Sequence, residues 1–103
     1  MQAIFVYVTA GDEKEAQKIA QLLLKKKLIA CANIFPIKSM YTWKGKVQSD
    51  DEVVLILKTL EKKYSLVETE IKKLHSYDVP CICKIPVSAN KEYMVWVQEQ
   101  LKK

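Results

Sequence analysis

The side chains best suited to chemistry are three cysteines, Cys31, Cys81 and Cys83, and the only histidine, His75. Thiolate and neutral imidazole are the ligands that select soft or borderline ions such as Cu(I) and Zn(II). Each also has a plainer use. Cys31 sits between alanines in an apolar run, where a small buried thiol packs well. His75 ends a helical pattern, where an imidazolium caps the last carbonyls. Cys81 and Cys83 are two apart in an extended stretch, so their side chains share one face; that face can equally be core. Lys58 interrupts the apolar run VVLILK. It is either the exposed end of a strand or a cation lining a cleft. Tyr77, beside His75, can hydrogen-bond or simply pack its ring.

Two runs position these groups. Leu28 to Thr59 reads as two strands folded about Lys44-Gly45, with Gly45, one of only two glycines, supplying the positive φ a hairpin needs. VVLILK is apolar on both faces and so reads as a central strand. The arms exceed an ordinary strand of about six residues, so Ile37 to Asp50 should overhang the core. Met40, Tyr41 and Trp43 ride on that overhang and suggest a partner surface.

Around the hairpin, residues 2–9 alternate as a first strand. Asp12 caps a helix, with Glu15 as its capping-box partner, and Ala16, Ile19, Ala20 and Leu23 form its buried stripe. Strand two begins at Leu28, with a bend or bulge expected at Pro36, and strand three covers about Glu52 to Lys58. A second helix starts near Glu61, carries Tyr64, Val67, Ile71 and Leu74 on one face, and ends at His75. Val79-Pro80 is extended, strand four is Cys81 to Val87, and Ser88 or Asn90 caps a last helix. The order predicts an α+β, ferredoxin-like βαββαβ sandwich with a C-terminal helix and a long β2-β3 hairpin, as one domain over residues 1–103.

Composition narrows the occupations of that fold. With 103 residues, half of them hydrophobic, the chain can bury one core. It has no export-like leader and no bilayer-length apolar segment, and three cysteines are an odd number for disulfides. A cytoplasmic protein with free thiols is the expectation. The net charge is +5, yet every basic residue is lysine. Without arginine, base readout and an acylphosphatase-type phosphate clamp are disfavoured, so nucleic acid is an unlikely partner. Two glycines leave no Gly-rich phosphate loop. The loop after strand one lacks the CxxC of small metal chaperones. An RNA-recognition surface has Phe5 and Tyr7 on strand one but no aromatic on strand three.

The remaining pattern runs ACAN (30–33), Ser39-Met-Tyr41-Thr-Trp43-Lys-Gly45, Leu57-Lys58-Thr59, Leu74-His75-Ser-Tyr77-Asp-Val-Pro80 and Tyr93-Met-Val-Trp96. In order and spacing, over nearly the whole chain, it resembles the CutA divalent-cation-tolerance family. The resemblance implies a PII-like homotrimer whose long hairpins pair between subunits. It implies association with copper or another divalent metal and no enzymatic activity, and it carries proposed metal residues onto Cys31 and His75. Two positions depart from the family pattern. Ser76 replaces a proline, and Cys81 stands where many relatives have glutamate, so a thiolate there would favour a softer ion. Strands two and four are opposite edges of a ferredoxin-like sheet, so Cys31 would meet His75 and Cys81 only across subunits. Tyr77 or Asp78 would then orient the imidazole, and Lys58 would line the cleft. Two other occupations stay open: a PII-like sensor of a small anionic metabolite, and an RNA-binding module.

Overall fold

The computed structural model describes residues 1–102. In chain order it has β1 (Ala3–Ala10), α1 (Glu13–Lys25), β2 (Cys31–Trp43), β3 (Lys46–Leu60), a 3-10 turn (Glu61–Lys63), α2 (Tyr64–Leu74), β4 (Ile82–Val87) and α3 (Lys91–Gln100). The strands form one antiparallel sheet in the order β2-β3-β1-β4. This is the expected ferredoxin-like arrangement, with VVLILK inside the sheet and β2 and β4 at its edges.

Alternation in β1 sends Ile4, Val6, Val8 and Ala10 to one face, and β3 adds Leu55 and Leu57. Ala16, Ile19, Ala20 and Leu23 of α1 and Val67 and Ile71 of α2 cover them, giving one continuous core. A second cluster joins Ala30 and Leu60 to Val97 and Leu101 of α3. The opposite face, read from the register, carries Phe5, Tyr7, Ile56, Phe35 and Ile85. Phe35 and Ile85 are exposed there.

β1 pairs with β3 only as far as Val53. β2 and β3 continue together from Ile37↔Glu52 out to Trp43↔Lys46. The hairpin therefore projects, and the molecule is 45 × 24 × 21 Å. Lys44 (φ 53°) and Gly45 (φ 80°) both sit in the left-handed region, which makes a two-residue turn whose twist matches the strands. Cross-strand bonds hold the overhang. Tyr41 Oη donates to Asp50 at 2.5 Å, and Lys38 Nζ lies 3.1 Å from Asp51.

Several boundaries differ from the sequence reading. β2 starts at Cys31, because α1 ends in a Schellman turn: Leu28 N donates to Leu23 O and Lys27 N to Leu24 O, with Lys27 at φ 57°. β3 begins at Lys46, well before Glu52, since pairing with β2 rather than burial sets its extent. Pro36 causes no bulge; its register with Val53 stays one-to-one, as an edge strand permits where the missing N–H faces away from its partner. β4 begins at Ile82. Asn90 occupies the position before α3, without a side-chain cap bond.

Candidate functional site

The site is built from the start of α1 outward. Asp12 Oδ1 accepts from Glu15 N at 2.8 Å, the expected cap. Glu15 does not close the capping box on Asp12. Its Oε1 accepts from Gly11 N (2.9 Å) and its Oε2 from Ser76 N (2.8 Å). One carboxylate thus ties the β1–α1 turn to the segment leaving α2. Burial acts to raise its pKa, but the Gly11 and Ser76 amide bonds outweigh that and hold it below the ordinary value.

His75 ends α2 with its side chain 0% exposed. Tyr77 N donates to Nδ1 (3.1 Å), so Nδ1 is the acceptor, and Nε2 carries the hydrogen it donates to Thr9 O (2.6 Å). In that tautomer the 3.7 Å approach of Glu15 to Nδ1 is not an ion pair. Both ring nitrogens are committed inside this chain, and ligation of a metal by His75 would require one of these bonds to break. The histidine here is an anchor that fixes the path of residues 75–81.

That path delivers Tyr77 to the hairpin. Its ring packs 4.7 Å from the His75 ring, and its hydroxyl donates to Glu52 Oε2. Burial first, and then the bond to Glu52, raise the phenol well above its ordinary pKa, so it stays a donor. Glu52 and Thr59 are the buried polar residues of the sheet.

Between the hairpin and the 77–81 segment lies a cleft of about 760 Å³. Its walls include Ser39, Met40, Tyr41 and Trp43 from β2, Asp50, Asp51 and Glu52 from β3, and Tyr77, Asp78, Val79 and Cys81 from the loop. Four carboxylates and, among the described residues, no lysine line it, although the chain carries +5 overall. A cleft of one sign concentrates counter-ions of the other, here cations.

The expected residues divide accordingly. Cys81, Tyr77, Asp78, Met40, Tyr41 and Trp43 meet in the cleft. Cys31 pairs with Lys58 at the far edge of the sheet, with β3 and β1 between it and β4. Lys58 does not line this cleft; its Nζ lies over the rings of Phe5 (5.6 Å) and Tyr93 (5.7 Å). Among the described residues, no three His, Cys, Asp or Glu side chains converge closely enough to hold a metal ion. Cys31, His75 and Cys81 therefore do not form one site within a single chain. The carboxylates of Asp50, Asp51 and Glu52 were missed as site residues. Their signal was the acidic run QSDDE (48–52), most of which lies before the expected start of strand three at Glu52.

Known proteins place this geometry. The family described as CutA1 divalent ion tolerance protein matches residues 4–100. A relative named divalent-cation tolerance protein CutA from Archaeoglobus fulgidus is 48% identical over 96 residues, 92% of this chain and 94% of that one. Another of that name, from Pyrococcus horikoshii, is 45% identical over 97% of this chain and 99% of its own length. A solved structure described as the periplasmic divalent cation tolerance protein CutA from Archaeoglobus fulgidus superposes with a TM-score of 0.95 at 46% identity, covering 97% of this chain and 99% of that chain. The chain belongs to the CutA1 family.

Proposed function

We propose that this CutA1-family chain is a cation-binding module, not an enzyme, that takes copper or another divalent metal ion in the acidic cleft beside the hairpin. One observation carries the reading: four carboxylates and a thiol face a single cleft of a chain that is otherwise basic. A metabolite anion, the PII-like alternative, would meet those carboxylates, and the lysine beside them, Lys38, is already paired with Asp51. The printed names of the relatives, which speak of divalent-cation tolerance, agree with a cation.

Because no three such ligands converge among the described residues of one chain, the proposal includes assembly. The overhang exposes Met40, Tyr41, Trp43 and Val47, and the uncovered sheet face adds Phe35 and Ile85. Such apolar surface beside two unpaired sheet edges favours a closed ring of identical chains. A homotrimer would bring a second chain's edge to the cleft and complete the ligand set, with Cys31 of a neighbour as one candidate. Three free cysteines suit a reducing compartment such as the cytoplasm, and among the described residues no helix is long and apolar enough to cross a membrane.

Calorimetric titration with copper, zinc and magnesium, each alone, tests the reading. Asp50→Asn with Asp51→Asn should weaken binding roughly tenfold, the effect of losing about 1 kcal/mol or more of attraction. Wild-type affinity in that double variant would reject the cleft as the site.

A further inference from the structure

Cys81 immediately precedes β4 and Cys83 lies within it, with their sulfurs 3.7 Å apart. Cys81 is half-buried at the cleft margin, and Cys83 is exposed. β4 is an edge strand, bonded only to β1. Both thiols are reduced, and the backbone favours that state. Residues two apart on a strand have Cα atoms about 6.6 Å apart, at the outer limit of what a disulfide spans. Two sulfurs each bound at about 2.3 Å to one tetrahedral ion stand about 3.8 Å apart. The separation is that of two thiols in contact, and it is also close to the spacing that a shared tetrahedral ion requires.

We propose that Cys81 and Cys83 form a two-thiolate site for a thiophilic, tetrahedral cation of the zinc type, held at the margin of the acidic cleft. Binding forms two metal–sulfur bonds, releases the two thiol protons to solvent and sheds the hydration waters that a tetrahedral shell of two sulfurs and two waters cannot keep; no electrons move. The remaining positions are water's. Cys83 is outside the cleft lining, and it alone converts the single thiol of Cys81 into a chelate. The pair is rigid because Cys83 stands in register with Tyr7 on β1. The cleft carboxylates lie beside it, with Glu52 near enough to act electrostatically on Cys81, and they attract the ion that the sulfurs then select. The inference rests on the preceding reading in one respect: the cleft supplies the cation.

The test is competition for zinc, alone, between the reduced full chain and a chromophoric chelator, with iodoacetamide labelling mapped by mass spectrometry. Cys83→Ser and Cys81→Ser should each weaken zinc binding at least about tenfold. Zinc should protect Cys81 and Cys83 from alkylation together. Cys83→Ala, checked by circular dichroism for an intact fold, should repeat the Cys83→Ser result. Wild-type zinc affinity in both Cys83 variants would overturn the dithiol site. If Cys81→Ser or the Asp50/Asp51 double variant alone then weakens binding, the acidic-cleft reading survives without it. If none of the variants weakens binding, both readings fall.

Discussion

His75 shows how one side chain can be read two ways. Its position at the end of a helix was legible from the sequence, as was its neighbour Tyr77. Its role was not, because nothing local reveals that Thr9, 66 residues away, supplies the carbonyl it bonds. In the structure it is an anchor, bonded to Thr9 O and Tyr77 N. His75→Ala should cost about 2–3 kcal/mol of stability, from two lost buried hydrogen bonds and an unpaired Thr9 carbonyl, seen as a lower urea midpoint. Any loss of metal binding should follow from a displaced 75–81 segment. Cys81 gives a second prediction. Burial, then the Cys83 contact, pushes its thiol up to about 11 from 9.0. Unfolded, the thiol ionises near its ordinary value; folded, it keeps its proton. The unfolded state therefore binds fewer protons between pH 9 and 11, and stability should fall as pH rises through that window. Tyr77 adds to the fall at higher pH, since its phenol is also raised. Glu15 acts at the other end: its lowered pKa stabilises the fold above about 4.5, and that is lost on acidification. Thermal melts across pH should show the alkaline decline reduced in Cys81→Ser.

Among the elements, the strands and helices were legible because each has one clean apolar stripe: β1 alternates, and α1 buries Ala16, Ile19, Ala20 and Leu23. Their ends were less so. The stop of α1 depends on Lys27 adopting φ 57° without a glycine to mark it. That conformation costs a non-glycine residue about 1 kcal/mol. Lys27→Gly should recover much of it and raise the melting temperature by a few degrees. The outer half of the hairpin was visible as length but not as chemistry. QSDDE pairs strand to strand, and only the arrival of Tyr77 from α2 turns its outward carboxylates into a cleft wall. Tyr77→Phe removes the bond to Glu52 and leaves a buried carboxylate short of a donor. It should destabilise the protein by about 1–3 kcal/mol, measured by urea unfolding.

At the scale of the whole molecule, the ferredoxin-like topology follows from element order, and the opposed edges that separate Cys31 from Cys81 follow from the topology. A single chain leaves its hairpin aromatics and one sheet face uncovered. Light scattering should therefore report three times the chain mass, and Trp43→Ala should lower that mass more readily on dilution than Trp96→Ala, because Trp43 sits on the projecting hairpin and Trp96 on α3. Charge is distributed unevenly at this scale too, with lysines over the exterior and carboxylates gathered where hairpin and loop meet. The central claim is that this acidic cleft is where a metal ion binds. Anomalous diffraction from crystals soaked in zinc or copper, recorded on both sides of the metal's absorption edge, tests it most directly. The account predicts a peak beside Cys81 and the carboxylates of Asp50, Asp51 and Glu52. A fully occupied peak elsewhere, with the cleft empty, would contradict it.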